Sequence, residues 1–340
     1  TFILALVWRL GLALFRRPAP RFFRRILAWH AGFFVFHVFV TVPVLLGLML
    51  PSIVGTRHDA RGYEGPRLDA DGTWLLQTRE SLAAERSGEA EVDPVLAEAA
   101  RERAVTFTAR DGVTLRGFLV PPRPGSAEGG PRVSAVVVHG LFRGALEVET
   151  PASLLRDLGG EVLLLELRNH GGSGKAQPTL GPDESLDVVA AAEYLRSREG
   201  GADRPLLLYG VSIGTAATAL ATPEIPDVAG LVLDAPIDDL AAAARRELGS
   251  GEMPFSIPPP WSSTILWSAE ALGGIPISSV KPGEALARLA PEVRVLLIGA
   301  GHDDRAPPDR VRALFEALPT PADRKELWIE PEASHGKVWV

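Results

Sequence analysis

The residues with the clearest chemical potential are Gly210-Val211-Ser212-Ile213-Gly214, a Gly-x-Ser-x-Gly sequence. An apolar run, Pro205–Tyr209, precedes it, and an Ala/Thr-rich stretch, Thr215–Ala221, follows. The first reads as a buried parallel strand and the second as a packed helix. A serine on such a sharp strand-to-helix turn projects its hydroxyl over the sheet edge, and glycines on both flanks let the two backbones approach closely. The pattern predicts a nucleophile elbow at Ser212.

A serine hydroxyl needs a base to take its proton and a third group to orient that base. The chain has seven histidines. His30 and His37 fall in a long apolar segment, and His58 follows it. His139 and His170 lie in turns near strand ends, and His302 and His335 follow the elbow. His335 stands in Ala333-Ser334-His335-Gly336, after the last apolar run, and is the expected base. The acid is expected after the Val293–Ile298 strand, where Asp303 and Asp304 are adjacent. Asp303 is favoured and Asp304 is the alternative. Two backbone donors should face the developing oxyanion. The expected pair is the N–H of Ile213 and the N–H of Leu141, in the loop His139-Gly140-Leu141-Phe142. His139 is then expected to be structural.

These residues need elements to carry them. Ala104–Ala109 and Val113–Val120 flank Asp111-Gly112, a hairpin signal. Apolar runs then alternate with helical stretches: Val133–Val138, Val162–Leu167, Pro205–Tyr209, Val228–Leu233, Val293–Ile298 and Glu326–Ile329. A hairpin followed by βα units predicts a mostly parallel, doubly wound sheet, whose ligands bind at the carboxyl ends of the strands. Residues 236–290 interrupt the rhythm. They carry Met253-Pro254-Phe255, Pro258-Pro259-Pro260-Trp261 and Trp267, and read as a lid or as a surface helical excursion.

Further motifs fit one family. Glu166-Leu167-Arg168-Asn169-His170-Gly171-Gly172-Ser173-Gly174 is similar to a turn reading Asp-x-Arg-x-His-Gly-x-Ser in the α/β-hydrolase superfamily. Asp111-Gly112-Val113-Thr114-Leu115 with Gly117 resembles that superfamily's opening hairpin. Together with the elbow, they make residues 100–340 resemble the serine aminopeptidase-like and monoacylglycerol lipase-like branch. The resemblance implies an α/β-hydrolase fold and hydrolysis of esters or related acyl compounds, with peptides as a further substrate class. Two departures stand out. Glu166 occupies the usual Asp position, a structural change, and the family continues into a final helix beyond the point where Val340 ends this sequence.

No Asp, Glu, Lys or Arg occurs between Arg25 and Arg57. About 20 apolar residues cross a bilayer, so residues 26–54 read as a transmembrane helix rather than a buried core helix. Arg16, Arg17, Arg21, Arg24 and Arg25 precede it, whereas Arg57, Asp59, Arg61 and Glu64 follow it. This bias predicts a cytoplasmic arginine cluster and a catalytic domain on the periplasmic or outer side of a bacterial inner membrane. Residues 2–15 are apolar apart from Arg9 and read as a second membrane segment or an interfacial helix. His37, mid-span, reads as a packed histidine rather than a proton carrier. The expected division is therefore 1–25 apolar and basic, 26–54 membrane helix, 55–102 connector and lead-in helix, and 103–340 hydrolase domain.

Composition narrows the alternatives. The net charge of −7 disfavours nucleic acid as a partner, and the absence of cysteine excludes thiolate catalysis and disulfides. Gly171-Gly172-Ser173-Gly174-Lys175-Ala176 lacks the first glycine and the final Ser/Thr of a phosphate loop. No pattern calls for a metal or another cofactor. The expected partners are an ester substrate, small or lipidic, and the bilayer itself. The competing function is a catalytically inactive, hydrolase-fold subunit of a membrane complex. Against it stands the complete set of Ser212, Asp303 and His335.

Overall fold

A computed structural model describes residues 21–56, 62–130, 132–249 and 256–339. Residues 2–15, Arg16, Arg17, Arg57, His58, Asp59, Arg61 and Met253–Phe255 lie outside the described residues. The described residues open with helix α1 (Arg21–Phe36), which continues through one wide π-helical turn at His37–Thr41 into α2 (Val42–Val54). His37 sits in that turn with its Nδ1 2.8 Å from Thr41 Oγ1, and its ring meets Phe33 edge-on. Then come α3 (Arg79–Ser87) and α4 (Pro94–Glu102). Asp93 caps α4 by accepting the Val95 N–H at 2.9 Å, and Pro94 occupies its first turn, where no N–H is needed.

Eight strands form the main sheet: β1 (Ala104–Thr108), β2 (Thr114–Val120), β3 (Val133–Val138), β4 (Gly160–Glu166), β5 (Leu206–Val211), β6 (Val228–Asp234), β7 (Arg294–His302) and β8 (Lys325–Ser334). Their spatial order is β8-β7-β6-β5-β3-β4-β2-β1. The β1–β2 and β2–β4 pairs are antiparallel and all others are parallel. Helices α5 (Glu149–Asp157), α6 (Pro182–Ser197), α7 (Ile213–Ala221) and α11 (Pro308–Ala317) connect and cover the strands. The residues of β4 are all buried, as are those of β3 after Val133, as expected for strands covered on both faces. This is the α/β-hydrolase fold.

Two elements differ from their sequence reading. Strand β7 runs through Gly299-Ala300-Gly301 to His302 instead of stopping at Ile298, because β8 continues to pair with it, Ala300 against Glu330. A Cβ at Gly301 would lie 2.0 Å from the Pro331 carbonyl, so only glycine lets the strands stay this close. The second difference lies in the segment expected to be a connector and lead-in helix, which is helical at α3 and α4 but also packs on the sheet. Its buried Leu68 and Trp74 share one apolar cluster with Phe118, Val120, Val162 and Leu164 of the sheet. Tyr63 Oη donates to Glu149 Oε1 at 2.7 Å, and the Gln77 N–H donates to Oε2 at 2.9 Å. Residues 62–102 are thus a packed layer of the fold.

The Glu166–Gly174 turn is held by buried ion pairs. Arg168, 1% exposed, forks onto Asp187 of α6 at 2.7 Å and reaches Asp111 of the opening hairpin at 2.7 Å. Glu166 accepts from Arg116 Nη2 at 2.9 Å and from the Gly172 N–H at 2.7 Å. The longer Glu side chain therefore keeps a structural role at this position.

The 236–290 insertion carries α8 (Leu240–Gly249), α9 (Trp261–Ala271) and α10 (Pro282–Leu286). Helix α9 lies along α2. Trp261 Nε1 donates to the Val38 carbonyl at 2.8 Å, and the Trp261 ring stacks on Phe39 at 4.5 Å. The apolar run Arg25–Val54 is one helix long enough to cross a membrane.

Candidate active site

The site forms at the carboxyl ends of β5, β7 and β8. Strand β5 ends at Val211, and Ser212 follows with φ 54° and ψ −121°. A positive φ at a non-glycine residue costs about 1–3 kcal/mol and persists only when the surroundings enforce it. They do so here through the two flanking glycines. A Cβ at Gly210 would lie 2.5 Å from the Gly214 carbonyl oxygen, and a Cβ at Gly214 would lie 2.6 Å from that of His139. Strand β5, helix α7 and the end of β3 therefore converge on Ser212 with no room for side chains. The Ser212 N–H is fixed by the Asp234 carbonyl at 2.9 Å.

His335 meets Ser212 from the loop after β8. Its Nε2 is 2.7 Å from Ser212 Oγ. Its Nδ1 is 2.9 Å and 2.8 Å from the two carboxylate oxygens of Asp303. Asp303 is 3% exposed, and its Oδ1 also accepts the N–H groups of Arg305 and Ala306, each at 2.9 Å. Burial pushes the Asp303 carboxyl upward. The His335 hydrogen bond and charge and the two backbone donors outweigh it, leaving the group below its ordinary value. Asp304 is exposed, and His302 points outward, 4.0 Å from Glu332. The structure brings Ser212, His335 and Asp303 into one line and leaves Asp304 outside it.

The expected donors lie on two neighbouring segments. Ile213 opens α7, where first-turn N–H groups have no acceptor within the helix. Leu141 follows the β3 end, and among the described residues no backbone acceptor meets its N–H. The preceding Gly140 N–H is taken by Glu147 Oε2 at 2.6 Å. His139 is buried, accepts the Leu167 N–H on Nε2 at 3.2 Å, and donates from Nδ1 to the Gly140 carbonyl at 2.7 Å. Burial and the nearby His170 press its pKa down to about 3, so it stays neutral and braces the loop.

Sequence reasoning did not single out three contributors. Burial raises Glu147 to about 7, against the opposing pull of the Gly140 N–H and the His335 charge. Asp234, fully buried at the end of β6, accepts from Tyr209 Oη and Trp339 Nε1, each at 2.9 Å. Burial lifts its carboxyl to about 6 against those two hydrogen bonds. Trp339 thereby ties the segment after His335 to the sheet. The one available signal was the position of Asp234 at a strand carboxyl end, where sites in such sheets concentrate. Among the described residues, no group of His, Asp and Glu is arranged to hold a metal.

A serine, an imidazole and a carboxylate in this order can transfer a proton from the hydroxyl as it attacks an acyl carbon. The sequence profile of the Alpha/beta hydrolase family matches residues 135–340. No curated protein shows significant similarity to the sequence. Among solved structures, the chain is similar to esterase Pf2001 of Pyrococcus furiosus, with a TM-score of 0.55 at 20% identity, covering 68% of this chain and 82% of that one. The alpha/beta hydrolase GrgF of Penicillium sp. sh18 superposes with a TM-score of 0.50 at 19% identity, over 68% of this chain and 90% of that one. At these identities the likeness is one of fold.

Proposed function

The chain belongs to the alpha/beta hydrolase family, and on that premise we propose that it is a membrane-anchored serine hydrolase cleaving carboxylic esters through an acyl-enzyme. The observation that carries this reading is the 2.7 Å approach of His335 Nε2 to Ser212 Oγ, with Asp303 on the opposite ring nitrogen. The Asp303 carboxylate accepts the Nδ1–H, which leaves the Nε2 lone pair facing the serine.

In the proposed reaction, Ser212 Oγ attacks the ester carbonyl carbon and its proton passes to His335 Nε2. Asp303 stabilises the resulting imidazolium. The carbonyl oxygen becomes an oxyanion and takes the N–H groups of Leu141 and Ile213. Collapse breaks the C–O bond, and His335 returns the proton to the departing alkoxide. Water then repeats the sequence on the acyl-serine, with its proton going to His335, and releases the acid. Glu147, by holding Gly140, orients the Leu141 side of this hole.

The anchor is the apolar Arg25–Val54 helix. With arginines at its N-terminal end, it would hold the hydrolase domain outside the cytoplasm. The direct test is a fluorophosphonate probe followed by peptide mapping. An adduct on Ser212 is expected, and Ser212→Ala should lose labelling and lower ester turnover by about 10³-fold or more. A folded, unlabelled wild-type protein would support the inactive-subunit reading instead.

A further inference from the structure

We propose that helix α9 of the insertion enters the bilayer beside the anchor, so that the site takes acyl esters directly from the lipid phase. The substrate half of this proposal rests on the hydrolase reading above. The membrane half rests on the anchor reading alone.

The 13 residues from Arg25 to Val38 rise about 20 Å at helical pitch. The hydrocarbon layer is about 30 Å thick, and the charged Arg25 sets its near boundary. The layer must then extend past Val38 by roughly two more helical turns. That stretch of the anchor is not alone. Trp261 reaches Val38 and Phe39, Ser268 meets Pro43 and Gly47, and Gly273 meets Pro51. Helix α9 therefore runs parallel to α2 from the level of Val38 onward, and its first turns share that depth.

The contact is too close to be incidental. A Cβ at Gly47 would lie 1.8 Å from Ser268 Oγ and 2.4 Å from the Ile265 carbonyl. Small residues at such a crossing are what membrane helix pairs use to approach. The composition of α9 also suits lipid. Its residues Trp261–Ala269 include no charged group, and the one ionisable side chain, Glu270, sits at its far end taking the Ser278 N–H at 2.9 Å. Thr264 and Ser268 hydroxyls donate back to the carbonyls of Pro260 and Ile265 at 3.1 Å and 3.0 Å, which satisfies them without water. The outward face keeps Trp267 57% exposed and, just past the helix end, Leu272 55% exposed.

The same helices reach the chemistry. Leu266 and Ala269 of α9 and Val54 of α2 belong to one buried cluster with Ile213, and Leu50 and Leu141 pack against it. Apolar contact is thus continuous from the bilayer-facing surface to both proposed oxyanion donors. A long acyl chain could follow that route without leaving an apolar environment, whereas a soluble substrate gains nothing from it.

The test uses the full chain in phosphatidylcholine–phosphatidylglycerol vesicles. The sequence has no cysteine, so single cysteines can be placed by Ser263→Cys on the exposed face of α9, Phe34→Cys on the anchor and Glu316→Cys on α11, then labelled with a fluorophore. Lipids carrying a nitroxide in the acyl chain should quench the Ser263 and Phe34 positions but not Glu316, and aqueous iodide should do the reverse. Quenching of the Ser263 position by iodide alone, with Phe34 in lipid, would overturn the proposal. Shielding of the Ser263 position from both quenchers, together with cross-linking between chains, would also overturn it, because a second copy would then be the occupant. Gly47→Val should wedge α9 away, and Trp261→Phe should loosen it without added bulk. Each should lower hydrolysis of a vesicle-embedded long-chain p-nitrophenyl ester relative to the soluble butyrate ester, by about tenfold for Gly47→Val. Equal loss on both substrates would overturn delivery from lipid. Unchanged hydrolysis in Ser212→Ala would instead overturn the hydrolase reading and leave the quenching result standing.

Discussion

His335 Nδ1 lies within 2.9 Å of both carboxylate oxygens of Asp303, although the two residues are 32 positions apart in sequence. The neighbour Asp304 is exposed. The difference arises at the end of β7: the strand runs to His302, and the next residue turns inward under the N–H groups of Arg305 and Ala306. Asp303→Asn should lower kcat by about 10⁴-fold, because the amide no longer fixes the imidazole tautomer. Asp304→Asn should leave kcat within about twofold, as for a solvated surface group. Steady-state kinetics of the two variants decide the matter, and a severe Asp304→Asn with a mild Asp303→Asn would transfer the role.

The elbow can be tested through its backbone. Gly214→Ala places a Cβ 2.6 Å from the His139 carbonyl oxygen and 2.8 Å from that of Val138. Helix α7 must then back away from β3, at about 1–3 kcal/mol of stability. That shift separates the Ile213 and Leu141 donors, so kcat should fall more than KM rises. Gly249→Ala, with nothing within 4 Å of the new Cβ, is the control and should leave both unchanged. Thermal unfolding and ester kinetics on the pair provide the measurement.

Stability should depend on pH through Glu149. Burial raises its carboxyl from 4.5 to about 7, against the Gln77 N–H and Tyr63 hydroxyl that favour the charged form. A raised folded-state pKa means the native protein binds the proton more tightly than the unfolded chain. This contribution is fully present below about pH 4.5 and is lost as pH rises through about 7. Glu149→Gln keeps an acceptor oxygen but removes the titration. Its Tm should therefore vary less between pH 4.5 and 7 than that of the wild type. Identical slopes in calorimetric scans would show that Glu149 does not titrate in this window.

Moving a cluster of arginines across an energised membrane costs roughly 2.3 kcal/mol per charge per 100 mV, which favours leaving them in the cytoplasm. Protease added to spheroplasts should therefore degrade the hydrolase domain. Protection until lysis would place the domain inside.

Much of the fold and of the candidate site was legible in the sequence because local rules govern it. Buried parallel strands need unbroken apolar runs, as in Val133–Val138, and a serine between two close-packed backbones needs Gly210 and Gly214 beside it. The chain order of Ser212, Asp303 and His335 follows from which strand ends they cap. Local pattern favoured Asp303 without fixing it over Asp304, since adjacent identical carboxylates differ only in which one the end of β7 turns inward. It could not show that residues 62–102 pack on the sheet, because the Tyr63–Glu149 contact spans 86 positions. Nor could it show that α9 lies along the anchor, since Trp261 and Val38 are 223 positions apart. The fit of Ser268 against Gly47 exists only once both helices are in place. Short-range periodicity encodes which face of an element is apolar, and only the assembled tertiary structure decides what that face meets.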